Sequence, residues 1–163
     1  MVENGGAGIL TWCGNQMAQF FTGRHEVPVD DKGRIFVPAE FRKKLPPEAD
    51  DTLVVVRGFD RCLTAYPQQV WEETAQQLLD LPQTNPEARA FIRSMLSRAT
   101  EVKMDRQGRI GIRRDLLKLA NITDQMVIIG VLNKLEFWNP EDCEEFPPME
   151  EVADGLDSFG IKL

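Results

Sequence analysis

The chain carries one segment twice: EVPVDDKGRIFVPAEFRKKL at 26–45 returns as EVKMDRQGRIGIRRDLLKLA at 101–120. At one constant offset Glu26, Val27, Asp30, Gly33, Arg34, Ile35 and Lys43 align with Glu101, Val102, Asp105, Gly108, Arg109, Ile110 and Lys118. An internal duplication constrains architecture more than any single motif does, because each copy must form the same supersecondary unit. Gly33 and Gly108 each sit in a polar stretch between alternating apolar runs, where a hairpin turn needs a residue that reaches positive φ without a Cβ clash. An Asp and an Arg therefore flank one turn in each half.

Around these copies the chain reads as two modules of the same plan. Val27 and Val29 alternate toward one face, the turn follows, and Ile35 and Val37 resume the alternation, which predicts a β-hairpin. Pro38 ends the strand and opens a short helix through Phe41 and Leu45. Two further strands are predicted near 53–56 and 63–66, and Pro67 starts a helix with Val70, Trp71, Thr74, Leu78 and Leu81 on one stripe. The second half repeats the plan, with strands near 101–104, 109–112, 126–131 and 134–138 and a helix from about 113. Between the halves Asn85 and Pro86 cap a helix whose Ala88, Phe91, Ile92, Met95 and Leu96 predict core packing between the modules. The resulting division is an N-terminal extension at 1–19, a first module at 20–81, a linker helix at 82–99, a second module at 100–146 and an acidic tail at 147–163.

With 163 residues, 42% of them hydrophobic, the chain can bury a core. The first twenty residues lack a basic leader region and no apolar run approaches a membrane span, so a cytoplasmic location is expected. Cys13, Cys62 and Cys143 show neither paired spacing nor a partner histidine, so no disulfide framework, zinc site or other metal or cofactor is implied. His25 is the only histidine, and no nucleophile elbow or phosphate-cradling glycine loop accompanies it. No enzyme and no small-molecule substrate are expected.

The formal charge of -7, taken alone, argues against a polyanionic partner, but its distribution does not. Residues 140–163 hold eight acids against Lys162, and the rest of the chain is balanced. The repeated segments lean positive, with six bases against four acids at 24–44 and six against three at 101–120. Local charge decides what a face attracts. From spacing alone the Asp-x-x-x-Arg turns admit two readings. In one, Asp30 with Arg34 and Asp105 with Arg109 are only turn-stabilising ion pairs, worth about 0–1 kcal/mol when exposed. In the other, each carboxylate holds a guanidinium fork ready for phosphate or a guanine edge.

VDDKGRIFVPAEFR resembles the swapped-hairpin DNA-binding fold of the AbrB type, and two copies in one chain resemble the MraZ family of bacterial transcriptional regulators. The resemblance runs from Phe21-Thr22-Gly23 through RGFDRCLTAYPQQVW and NPEARAFIR to IGVLNKLEFW. It implies an α+β, β-rich pseudo-twofold barrel of swapped hairpins, built from two tandem βαβ-type modules with packed helices. It also implies a nucleoid-associated regulator that binds double-stranded promoter DNA at direct repeats upstream of its own division and cell-wall operon, and that assembles with itself into rings. By motif match Lys32, Arg34 and Arg109 are carried over as DNA contacts, with Asp30, Gly33, Asp105 and Gly108 as motif and positioning residues. Arg24, Arg42, Arg113 and Arg114 join them on charge and proximity. The competing functions are an antitoxin-like or scaffold module that binds a protein, and a purely structural ring.

Departures from the family pattern carry their own expectations. Gly111 is read as interrupting its strand and Arg113-Arg114 replace Pro38-Ala39, so the second hairpin is expected to be less regular and the first turn the stronger candidate. Residues 1–16 precede the family's usual start, which makes Met17 a candidate initiator.

Overall fold

The computed structural model describes residues 20–144 and 146–160. The N-terminal extension with Cys13 and Met17 lies outside the described residues, as do Glu145 and the last three positions. In the first half, β1 (Arg24–Pro28), β2 (Arg34–Phe36) and the one-turn helix α1 (Ala39–Arg42) are followed by the hairpin β3 (Thr52–Arg57) and β4 (Leu63–Pro67). Helices α2 (Gln68–Leu79) and α3 (Pro86–Leu96) lead to the second half, which repeats the order as β5 (Thr100–Lys103), β6 (Arg109–Gly111), α4 (Arg114–Leu119), β7 (Gln125–Val131) and β8 (Lys134–Trp138). A short helix, α5 (Met149–Ala153), lies in the acidic tail.

Strand pairing shows how the two copies are joined. One six-stranded sheet runs β1-β7-β8-β4-β3-β5, and a separate two-stranded ribbon pairs β2 with β6. Exchanging each first-half strand for its second-half counterpart turns the six-strand order into its own reverse, which is the signature of a pseudo-twofold axis. The register obeys the same exchange: Glu26 opposite Val127 and Val27 opposite Met126 are matched by Glu101 opposite Val54 and Val102 opposite Leu53. The axis crosses the sheet where Thr64 faces Glu136 and the ribbon where Ile35 faces Ile110. The protein is of the α+β class, a β-rich pseudo-twofold body of two swapped hairpins.

The repeated segment does form a turn, but its arms do not pair with each other as a simple hairpin would. β1 adds to β7 and β5 to β3, each in the opposite half, while β2 and β6 pair across the axis. A period of two in burial tells that a segment is extended and one-sided, and leaves its neighbour open. Val27, Val29, Ile35, Val37, Val102, Ile110 and Ile112 from both segments meet in one core with Phe41, Leu53, Leu116, Met126, Ile128 and Phe137. The swap therefore puts the hydrophobic contribution of each module inside the other, and neither module has a closed core without its mate.

The outer faces of the two halves differ. α2 and α3 lie against β3 and β4, whereas Val127, Trp138 and Cys143 form a small cluster with Cys62 over β7 and β8, extended by an edge-to-face contact of Phe146 on Trp138 at 5.0 Å. Burial pushes the Cys62 thiol up to about 12 and Cys143 up to about 11, so both stay protonated and unreactive in the folded state. The linker helix departs from expectation. Neither α2 nor α3 has a buried residue, and the stripe read as core packing leaves Phe91 39% and Leu96 37% exposed, with Phe59 stacked on Phe91 at 6.2 Å. An amphipathic pattern records that a face needs covering and says nothing of whether the same chain covers it. Among the described residues, no helix is long and apolar enough to cross a membrane.

Candidate nucleic-acid interface

The two turns are built alike, atom for atom. Asp30 Oδ1 accepts from the backbone N–H groups of Lys32 at 2.9 Å and Arg34 at 2.8 Å, while Oδ2 accepts from Arg34 Nε at 2.7 Å. Asp105 does the same for Gln107, Arg109 and Arg109 Nε, each at 2.9 Å. The Gly33 and Gly108 N–H groups each donate at 3.0 Å to the carbonyl of the Asp three residues before, and both glycines have positive φ, 77° and 82°. The Arg34 backbone N–H, aided by its side chain and charge and by the Lys32 N–H, holds the Asp30 carboxyl below its usual range against the opposing effect of burial. Arg109 and Gln107 do the same for Asp105. Each carboxylate thus organises the turn and fixes one edge of an arginine. Among the described residues, no hydrogen bond engages the terminal nitrogens of either guanidinium.

Both arginines project from the ribbon. Ile35 and Ile110, 1% exposed, face the core, so by alternation Arg34, Phe36, Arg109 and Gly111 share the opposite, solvent side. Arg34 faces Gly111 and Phe36 faces Arg109 across the ladder. The outer surface is therefore a square in which the two arginines occupy one diagonal and Phe36 and Gly111 the other. The Arg109 guanidinium carbon lies 5.8 Å from the centroid of the Phe36 ring, a cation–π contact. Gly33 and Gly108 mark opposite ends of the ladder, four residue steps apart, which is roughly 14 Å. The major groove of B-DNA, about 12 Å across, admits a two-stranded ribbon.

The irregularity expected of the second hairpin is not there. Gly111 lies within β6, paired with Arg34, and Arg113 takes the backbone conformation of Pro38, with φ and ψ of -61° and 143° against -53° and 140°. An extended residue before a helix does not have to be proline, and a glycine opposite a long arginine leaves room without breaking the ladder.

The four residues added on charge scatter. Arg42 and Arg114 both reach a turn, but that of the other half. Arg114 Nη2 donates to the carbonyl of Asp31 at 2.8 Å, and the Arg42 guanidinium lies over Gly108, where an added Cβ would meet Nη1 at 2.8 Å. Arg113 is held by Asp115, through Nε to Oδ1 at 3.0 Å and Nη2 to Oδ2 at 2.8 Å. Arg24 stands at the far end of β1, near enough to Cys143 to influence its thiol and roughly 20 Å of strand from the first turn. Lys32 lies at the exposed tip. His25 pairs with Glu40 at 2.9 Å and sits edge-on to Phe41.

Two residues of this surface were not singled out by sequence. Arg106 stands exposed at the tip of the second turn, where the first has Asp31, and the alignment of the copies already paired these positions with opposite charge. Phe36 is 54% exposed, and its signal was a large apolar residue at the outward position of an alternating strand.

The family profile described as "MraZ protein, putative antitoxin-like" matches residues 20–94 and again 95–150. A Clostridium tetani (strain Massachusetts / E88) protein named Transcriptional regulator MraZ is 37% identical over 145 residues, which cover 86% of this chain and 99% of that protein. A Moorella thermoacetica (strain ATCC 39073 / JCM 9320) protein of the same name is 38% identical over 143 residues, 88% of this chain and 96% of that protein.

Proposed function

The chain belongs to the MraZ family, and from that premise we propose that it is a transcriptional regulator that binds double-stranded DNA sequence-specifically and acts as a repressor without enzymatic activity. The observation that carries this reading is the pair of carboxylate-held arginines on the exposed face of one ribbon. A guanidinium fixed at Nε keeps its outer nitrogens oriented for the two acceptors of a guanine edge, so little ordering entropy remains to be lost on contact. Lys32, Arg106, Arg42 and Arg114 surround the ribbon and suit phosphates, which supply affinity and register while the ribbon arginines supply sequence. Asp30, Gly33, Asp105 and Gly108 then act by positioning.

The proposed target is promoter DNA with direct repeats upstream of the protein's own operon in the division and cell-wall gene cluster, reached in the cytoplasm at the nucleoid. Self-association into rings accompanies it. Phe59, Leu79, Phe91 and Leu96 leave apolar surface on the helical side of the body, and such surface favours a second copy. A second reading, an antitoxin-like contact with another protein, draws on the tail, where Met149, Val152 and Phe159 stand exposed among acids. Footprinting of the purified protein on the DNA upstream of its own gene tests the first reading. Protected tandem repeats with steep salt dependence are expected, since release of Z counterions gives a slope of about -0.9Z. Absence of protection, together with capture of a single protein through the tail, favours the second.

A further inference from the structure

We propose that Phe36 is an apolar base reader that touches thymine 5-methyl groups in the major groove and, because its mate across the axis is Gly111, gives a pseudo-symmetric ribbon a direction on DNA. The inference rests on the reading of the ribbon as the DNA-binding face and adds a ligand chemistry that the arginines do not supply. Phe36 lies on the same strand face as Arg34, two residues away, with buried Ile35 between them. Two strand steps are about 7 Å, close to two base-pair rises of about 3.4 Å. A ribbon lying along the groove, with Arg34 on a guanine edge, thus brings the Phe36 ring to a base pair two steps away. There the thymine methyl is the only apolar group that the major groove offers.

Exposure of the ring has no use in the fold. Inward positions 35 and 37 already fill the core, and the ring lies against the Arg109 guanidinium at 5.8 Å. Held between that cation and solvent, the ring presents an apolar surface at one corner of the charged patch. The exchange that carries Arg34 onto Arg109 carries Phe36 onto Gly111, so only one half of the square has this contact. A symmetric patch would accept a site in either orientation. One with a single apolar corner distinguishes them, which is what tandem, same-sense repeats require.

The test uses the full chain and a duplex spanning the region upstream of its own gene, made once with thymine and once with uracil at every thymine position. This change removes 5-methyl groups from the groove. By fluorescence anisotropy the wild type should bind the uracil duplex about fourfold more weakly for each methyl contacted, the effect of one buried methylene-sized group. Phe36→Ala should bind the thymine duplex about as weakly as the wild type binds the uracil one, and should not distinguish the two. Phe36→Leu, which keeps an apolar tip but loses the aromatic contact with Arg109, should retain the discrimination. Equal wild-type affinity for both duplexes overturns the proposal and leaves DNA binding standing. So does a Phe36→Ala loss of the same size on both, which would make the ring a support for Arg109. Failure of the wild type to bind either duplex removes the DNA reading itself, and this inference with it.

Discussion

The turn at 30–34 and the turn at 105–109 make the same five hydrogen bonds, yet what surrounds them differs. Each is organised by one carboxylate and one positive-φ glycine, and these needs belong to the backbone. Around the first turn, Leu117 approaches Gly33 and Arg114 bonds the carbonyl of Asp31. Around the second, Arg42 lies over Gly108, and Phe36 backs Arg109 where Gly111 stands opposite Arg34. A swapped fold allows this divergence, because the neighbours of each turn come from the other half and can change without altering the turn's own bonds. The geometry is duplicated while the chemistry around it is not.

The sharpest way to break that comparison is through the glycines. An L-residue at positive φ costs roughly 1–2 kcal/mol wherever it is placed. At Gly33 a Cβ would also collide with the carbonyl oxygen of Ile112, whose own N–H is bonded to Gly33 in the ladder, so the backbone cannot withdraw cheaply. At Gly108 the nearest atoms belong to the Arg42 side chain, which can swing aside. Gly33→Ala is expected to destabilise by about 3 kcal/mol and Gly108→Ala by about 1–2 kcal/mol in urea denaturation. Equal losses would show that Arg42 is as fixed as the ladder.

The ribbon arginines come next. With the second hairpin as regular as the first, the ground for ranking Arg34 above Arg109 falls away. Arg34→Ala and Arg109→Ala should each cost about 1–3 kcal/mol in promoter affinity, with both proteins melting near the wild type. The two losses are expected to agree within about threefold, and a difference beyond about tenfold would show that one turn meets the DNA and the other does not.

What could be read beforehand follows the same division between local and distant causes. The positive-φ glycines and the Asp–Arg pairs were legible because each is decided within five residues of chain, and the duplication because one stretch of sequence can be laid directly on another. The pairing of β1 with β7 was not, since Val27 and Val29 announce one buried face and leave the neighbouring strand unspecified. Arg42 and Arg114 lie near their own turns in sequence, and the swap carries each to the opposite one. The α3 stripe is apolar as read, but it is covered only in part, with Ala88, Ile92 and Met95 half-buried and Phe91 and Leu96 exposed, for periodicity cannot separate a face covered by its own chain from one left exposed.

Acid provides a third comparison. Both Asp carboxyls lie below their ordinary 3.8 in the folded protein, chiefly through the backbone N–H of Arg34 or Arg109. Between the folded and unfolded values the unfolded chain binds more protons, so stability rises with pH through that window. The contribution is complete above about pH 4 and is lost as pH falls through the folded values. Asp30→Asn and Asp105→Asn should each narrow their gap from wild type in melting temperature as pH drops below about 4, and by similar amounts. A pH-independent gap for one of them would mean that its carboxylate charge contributes nothing to that turn.

The smallest effects are the most specific to the swap. Arg42 and Arg114 make exposed contacts, so Arg42→Ala and Arg114→Ala should each change stability by less than about 1 kcal/mol. On DNA each is expected to weaken binding nearly uniformly across sequences and to lower the salt slope by about 1, as loss of one phosphate contact does. Their couplings carry the comparison between the turns. Arg114 touches the first turn through the Asp31 carbonyl, so Arg114→Ala should be non-additive with Arg34→Ala and additive with Arg109→Ala, even though Arg109 is its neighbour in sequence. Arg42 lies over Gly108, so its coupling should fall on Arg109 rather than on Arg34, eight residues before it. Two double-mutant cycles of promoter affinity measure this directly. If Arg114 couples to Arg109 and Arg42 to Arg34, each turn is served by its own half and the exchange of arms does not extend to the bound state.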